Sequence, residues 1–393
     1  MVALAQRVQR IQPSPTLAVT AKAAQLRAEG RDVIGLGAGE PDFDTPPHIK
    51  EAAIRAIREG MTKYTPVDGI PSLKEAVVEK FRRENGLEYT LGQVIVSSGG
   101  KQCCYNLMQA LLDPGDEVVI PAPYWVSYPA MVLLAEGQPV IVEGRQENRF
   151  KITPEQLEAA ITERTKLFIL NSPSNPTGQM YTPSELRALG EVLRRHPHVV
   201  VATDDLYEQI TWQEGSFCNI LNLCPDLYDR TVVLNGVSKA YAMTGWRIGY
   251  AAGPPEIIGA MRKIQSQSTS NPASISQAAA EAALRGDRAF IREMVAAFKA
   301  RHDRVVAALN AIEGVSCLET DGTFYLFPDF SGLIEKKGLR DDVALAERLL
   351  EEVGVALVPG SAFGAPGFVR ISIATAEELL EEACRRIAHF AGN

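Results

Sequence analysis

The chain has 393 residues, 46% of them hydrophobic, and 48 acidic side chains against 40 Lys and Arg, a formal net charge of -8. That length can bury a large core spread over two or three domains. The acidic balance favours solubility and, with no basic tract to offset it, argues against a nucleic-acid surface.

From the amino end, the Met1–Gln12 segment lacks the apolar core of a secretion signal, so a cytoplasmic protein is expected. Leu17 to Glu29 reads as a helix ended by Gly30, and Val33 to Leu36 as a short strand. Gly35-Leu36-Gly37-Ala38-Gly39 invites comparison with a dinucleotide fingerprint. The third glycine of that motif would fall on Glu40, with Pro41 behind it, so no phosphate-binding helix starts in register and nicotinamide binding is rejected. Cys103 to Leu112 is helix-like and follows Ser98-Gly99-Gly100-Lys101-Gln102. Val118 to Ala135 carries no charge over 18 residues, a length that hints at a membrane span. Pro121, Pro123 and Pro129 break it, and it reads as a strand followed by a loop.

Lys166 to Leu170, Val199 to Ala202 and Thr231 to Asn235 are apolar runs of strand length. Gly286 to Ala311 places Phe290, Ile291, Met294, Val295, Phe298, Val305, Val306 and Leu309 at mostly helical spacing, one long amphipathic helix. Strand-like Thr323 to Phe327, helix-like Asp342 to Val353, strand-like Val369 to Ile373 and helix-like Ala376 to His389 complete an α/β order without repeats. The six cysteines show no two-residue separation typical of zinc or redox motifs and read as reduced thiols. The five histidines fall in no constellation, so a metal site or a histidine nucleophile has little support.

The three middle strands each end in polar groups. The first runs into Asn171-Ser172-Pro173-Ser174-Asn175-Pro176-Thr177-Gly178, the second into Asp204, Asp205 and Tyr207, the third into Ser238 and Lys239, with Arg247 eight residues beyond the lysine. Ligands of open α/β sheets bind at such strand ends. A lysine amine can tether an aldehyde cofactor covalently and later move a proton, while a hydroxyl and an arginine suit its phosphate. Pyridoxal 5'-phosphate meets that description. Asp204 is the candidate for holding a proton on the pyridine nitrogen, and Asp205 the one for capping the next turn.

At this point the chain resembles the fold type I pyridoxal-phosphate enzymes, specifically class I aminotransferases of the bacterial aspartate aminotransferase group. Gly37-Ala38-Gly39-Glu40-Pro41-Asp42-Phe43, Tyr64-Thr65-Pro66-Val67-Asp68-Gly69-Ile70, Gly99-Gly100-Lys101-Gln102, Pro123-Tyr124-Trp125-Val126-Ser127-Tyr128-Pro129, Asn175-Pro176-Thr177-Gly178, the Lys239 segment and Val369-Arg370-Ile371-Ser372 fall in family order. The resemblance implies a large domain with a mainly parallel sheet between helices plus a smaller α/β domain. It divides the chain into an amino-terminal arm with part of the small domain (1–45), the cofactor domain (46–285), and the long helix with the carboxyl-terminal domain (286–393).

The resemblance also implies roles. Lys239, Asp204 and Tyr207 would be catalytic. Asn175 and Tyr207 would donate to the cofactor's ring oxygen, and Trp125 would lie against its ring. Gly99, Gly100, Lys101, Ser238 and Arg247 would hold its phosphate, the backbone amides acting from a helix N-terminus. Tyr64 would reach that phosphate from a neighbouring subunit, which makes a homodimer. Arg370 would clamp the substrate's α-carboxylate opposite the Gly39 backbone, with Trp125 and Asn175 also at the substrate. Lys101 would help bind a distal carboxylate, which favours aspartate and glutamate, and the reaction expected is transfer between aspartate and 2-oxoglutarate. Relatives commonly carry Lys-Pro-Ser-x-Thr near the amino end, where this chain has uncharged Gln12 before Pro13-Ser14-Pro15-Thr16, so prephenate is expected to be a poorer acceptor. The alternatives are a prephenate, aromatic or alanine aminotransferase or a β-eliminating lyase of the same fold. A pyridoxal-phosphate-binding transcription regulator is disfavoured, since the family-like region begins near Pro13.

Overall fold

The computed structural model of the chain describes residues 2–392; Met1 and Asn393, the ends of the first and last expected segments, lie outside them. β1 (Ile34–Gly35) lies near the amino end. β2 (Val94–Ser97), β3 (Glu117–Ala122), β4 (Gln138–Glu143), β5 (Thr165–Asn171), β6 (Val200–Asp204), β7 (Thr231–Gly236) and β8 (Gly249–Ala252) fill the middle. β9 (Tyr325–Leu326), β10 (Val355–Ala356), β11 (Val358–Pro359) and β12 (Val369–Ser372) come last. Among the described residues the middle strands form one sheet in the order β2-β8-β7-β6-β5-β3-β4, parallel except where β8 runs against both its neighbours.

The central strands are apolar at successive positions because both sheet faces are covered. In β5, Phe168 and Leu170 join one core with Val201 and Val233, while Leu167 and Ile169 join the opposite one with Ala202, Val232 and Leu234. A separate core gathers Leu326, Val355 and Ile371 from the late strands with Leu345, Leu349 and Ile387 from helices Asp342–Val353 and Glu377–Ala391. β1 joins that layer by pairing in parallel with β10. The expected long helix spans Ala289–Asn310, and its Phe290 and Val295 pack against both a sheet core and this separate core. The architecture is thus the expected mainly parallel sheet between helices plus a smaller α/β layer.

Helix Pro15–Ala28, which follows a short helix Gln6–Gln9, buries Ala23 and Leu26 against Val33, Leu350 and Ala356. Just past it, Gly30 takes φ 86°, a left-handed turn that glycine adopts without a Cβ penalty. One stretch departs from expectation. After β3 the charge-free segment forms helix Ser127–Leu134 where the sequence reading has only a loop. Pro129 is its third residue, in the first turn, where backbone N–H groups have no intrahelical acceptor, so the ring removes no helical bond. No helix among the described residues is long and apolar enough to cross a membrane.

Candidate active site

The carboxyl ends of β5, β6 and β7 lie side by side, with Asn171 paired to Asp204 and Asp204 to Leu234. Polar groups at and just beyond these positions therefore reach one edge of the sheet. A cleft of about 450 Å³ opens there, lined among others by Trp125, Asn175, Asp204, Lys239 and Arg370.

Asp204 is partly buried. Its Oδ2 accepts from the Tyr128 hydroxyl at 2.5 Å and its Oδ1 from the Leu206 amide at 3.3 Å. Burial pushes its pKa up, while the Tyr128 and Leu206 hydrogen bonds and the Lys239 charge act in the opposite direction. Asn171 braces the same strand end: its Nδ2 donates to the Asp204 carbonyl at 3.0 Å, and its Oδ1 accepts from the Asn175 amide at 2.9 Å. Neither Tyr128 nor Asn171 is singled out by sequence reasoning, although both sit inside its motifs. Asp205 does not cap a turn as expected. It is buried, and its carboxylate accepts from the side chains of Thr203 and Asn219, each at 2.5 Å.

Lys239 follows β7 by three residues and donates from Nζ to the Gly39 carbonyl at 2.5 Å. Burial and then the Arg370 charge lower its pKa to about 8, against the pull of Glu40 and Asp204. An amine in that range is partly neutral near neutral pH and nucleophilic.

Arg370, on β12, is 2% exposed. Nη1 donates to Asn175 Oδ1 at 3.0 Å and Nη2 to the Gly37 carbonyl at 2.8 Å, so Gly37 is the backbone acceptor for this guanidinium while Gly39 receives Lys239. Its Nε has no partner, and no carboxylate pairs with it among the described residues. The guanidinium lies 4.4 Å from the Tyr325 ring centroid and 5.0 Å from that of Phe363. A buried cation with an unused donor calls for an anion, since its desolvation is otherwise uncompensated. Tyr207 is buried beside it, its hydroxyl 3.0 Å from that of Tyr325.

Helix Gly100–Leu111 points its N-terminus at the cleft. The Gly99 carbonyl takes the Gln102 and Cys103 amides, leaving those of Gly100 and Lys101 ahead of the helical ladder. Gly99 has φ 93°, and a Cβ there would lie 2.3 Å from Arg247 Nη2, so only glycine lets the arginine settle at this corner. Arg247 is held by the Thr244 carbonyl at 2.8 Å and the Ser98 carbonyl at 3.5 Å. Ser238 also lines the cleft. Lys101 holds its amine 5.1 Å from the Trp125 ring centroid, and burial followed by the Arg247 charge lowers its pKa. The Trp125 ring meets Tyr128 edge-on at 5.2 Å.

Tyr64, also named from sequence, stands apart: it is 92% exposed and does not line the cleft of its own chain. Sequence reasoning assigned no cleft role to the helix Pro15–Ala28, yet Ser14, Thr16, Leu17 and Thr20 line the opening. The residues fit a phosphate-bearing aldehyde: a glycine cradle beside an arginine, a depressed lysine amine, a carboxylate at the strand end, and a buried guanidinium with a donor to spare.

Comparison with known proteins agrees. The family model for aminotransferase class I and II matches residues 31–387. The aspartate/prephenate aminotransferase of Nitrosomonas europaea is 59% identical over 98% of each chain, and the aspartate aminotransferase of Geobacillus stearothermophilus 54% identical over 98% of each. Among solved structures, aspartate aminotransferase from Rhizobium meliloti superimposes with a TM-score of 0.96 at 50% identity, covering 100% of this chain and 99% of that one. The Thermus thermophilus enzyme with maleate gives 0.93 at 47% identity, covering 99% and 100%. The chain belongs to the class I and II aminotransferases, and is a fold type I enzyme that uses pyridoxal 5'-phosphate.

Proposed function

We propose that this aminotransferase moves an amino group between aspartate and 2-oxoglutarate in two half-reactions at the cleft described above. The observation that carries the reading is the buried Arg370 with its unpartnered Nε, joined on the same cleft by a second cation, Lys101. An α-carboxylate on the first and a distal carboxylate on the second describe a dicarboxylic substrate. Aspartate in the names of the relatives and maleate, itself a dicarboxylate, with the Thermus neighbour support this choice.

Bound pyridoxal phosphate supplies an electron sink for a carbanion at the substrate α-carbon. Lys239 tethers it and, once displaced, moves a proton at that carbon. Asp204, oriented by Tyr128, keeps a proton on the ring nitrogen. Asn175 and Tyr207 donate to the ring oxygen, and Trp125 covers the ring face. Gly99, Gly100 and the Lys101 amide, with Ser238 and Arg247, hold the phosphate. The exposure of Tyr64 supports its donation to a partner subunit's site in a homodimer. The pairing of β1 with β10 and the two-sided packing of helix Ala289–Asn310 support the division 1–45, 46–285 and 286–393. The free cysteines among the described residues support a cytoplasmic location.

A second reading, in which prephenate is also an acceptor, is favoured by the names of the Nitrosomonas europaea and Cereibacter sphaeroides relatives. A panel of amino donors with 2-oxoglutarate, then of acceptors with aspartate, tests both. Aspartate ranking below monocarboxylic donors overturns the dicarboxylate assignment.

A further inference from the structure

Tyr325 lies on β9, in a different layer from Tyr207, yet the two hydroxyls meet at 3.0 Å with both side chains buried. Their backbones are stitched together as well. The Thr323 amide donates to the Ile210 carbonyl at 2.8 Å, and Gly322 bridges to Thr211. Thr323 takes φ 66°, a left-handed conformation uncommon for a branched residue, and its Oγ1 accepts the Tyr325 amide at 3.1 Å. The ring placement is therefore over-determined.

A phenol has one proton and can accept as well as donate. Among the described residues neither hydroxyl has another protein partner. If Tyr207 donated to Tyr325, its single proton would be spent within the protein and the Tyr325 proton would have no protein acceptor among the described residues. In the reverse direction both protons find one, provided that an anionic oxygen faces Tyr207. The Arg370 guanidinium 4.4 Å from the Tyr325 ring centroid draws density from that ring and makes Tyr325 the better donor.

We propose that Tyr325 is a positioning residue whose hydroxyl donates to Tyr207, committing the Tyr207 proton to the cofactor's ring oxygen and strengthening that bond through the chain. The proposal rests on the reading of Tyr207 as the donor to that oxygen. Chained hydrogen bonds polarise one another, so loss of the first weakens the second without removing it.

The test is an absorbance titration of the pyridoxal-phosphate-loaded enzyme, since donors to the ring oxygen lower the pH midpoint of its visible band. Tyr325→Phe should raise that midpoint by roughly half a pH unit. Tyr207→Phe should raise it further, and the double variant should match Tyr207→Phe alone. A midpoint that Tyr207→Phe moves and Tyr325→Phe leaves in place or lowers overturns the proposal alone. So does a Tyr325→Phe shift that persists in the Tyr207→Phe background, or a rise in KM for aspartate with no midpoint change, which marks Tyr325 as mere packing for Arg370. A midpoint that Tyr207→Phe does not move overturns the Tyr207 assignment and this proposal with it.

Discussion

Tyr128 donates its hydroxyl hydrogen to Oδ2 of Asp204 across 2.5 Å, linking the first turn of helix Ser127–Leu134 to the end of β6. Helix and strand are 76 residues apart at this bond, and the tyrosine is buried. The carboxylate is thereby aimed, and the bond works against the burial that pushes its pKa up.

Tyr128→Phe removes that donor and leaves the ring's packing. Since the bond lowers the Asp204 pKa, its loss raises it, and the acid limb of the kcat/KM profile moves to higher pH. A hydrogen bond to a charged group is worth about 1.5–3 kcal/mol, so activity should fall roughly 10- to 100-fold. An unshifted acid limb would show that Asp204 does not depend on Tyr128.

Lys239→Ala should abolish turnover and the absorbance of the tethered cofactor, while the phosphate corner around Gly99 and Arg247 still retains cofactor. Retained full activity would remove the central assignment.

Lys239 also makes a pH prediction for the cofactor-free protein. Its folded pKa is about 8 against the usual 10.5, so between these values the unfolded chain binds the extra proton and stability rises with pH. Below pH 8 the penalty of the buried charge is fully present, up to about 3 kcal/mol. The stability advantage of Lys239→Met over the unaltered protein should therefore shrink between pH 7 and pH 10 in denaturant titrations. A constant difference would mean the amine is not desolvated.

How much of this was legible in the sequence depends on the range of the contact. The β7 strand and the Ser238–Lys239 turn are local, and a continuous apolar run ending in polar residues reports them directly. Tyr128 was hidden because Pro129 reads as a breaker, whereas the first helical turn has no bond for proline to remove. The Asn175–Arg370 bond spans 195 residues and Tyr207–Tyr325 spans 118, so no local period carries either. The Gly99 cradle is a similar case: Gly99 and Arg247 are each visible in their motifs, but the close approach that only a missing Cβ allows is not.

Arg370→Leu should weaken catalysis on every amino acid, because all share the α-carboxylate. Loss of one partner of a desolvated charge pair costs about 2–5 kcal/mol, or very roughly 30-fold to several thousand-fold. The cofactor-free variant should keep its thermal stability, since it no longer buries an unpaired cation. If only dicarboxylic substrates suffer, the two carboxylate sites are reversed.

The last prediction concerns acceptor range and turns on Gln12. It precedes helix Pro15–Ala28, whose first residues line the cleft, but is itself exposed and absent from that lining. The family resemblance implies that a lysine at this motif position would bring a second positive charge toward the distal carboxylate, which the uncharged Gln12 would not. On the proposed reading, Lys101, beside Trp125, is then expected to carry that recognition alone. Aspartate and 2-oxoglutarate should be used well, and prephenate should be a poorer acceptor than oxaloacetate or 2-oxoglutarate. Gln12→Lys should raise kcat/KM for prephenate, while Lys101→Ser should depress aspartate far more than alanine or phenylalanine. Measuring kcat/KM for aspartate, alanine, phenylalanine and prephenate in the unaltered enzyme and both variants separates the possibilities. If Gln12→Lys changes nothing, residue 12 only orders the arm. If Lys101→Ser lowers aspartate and alanine equally, the lysine serves the cofactor phosphate or the fold, and the dicarboxylate assignment fails.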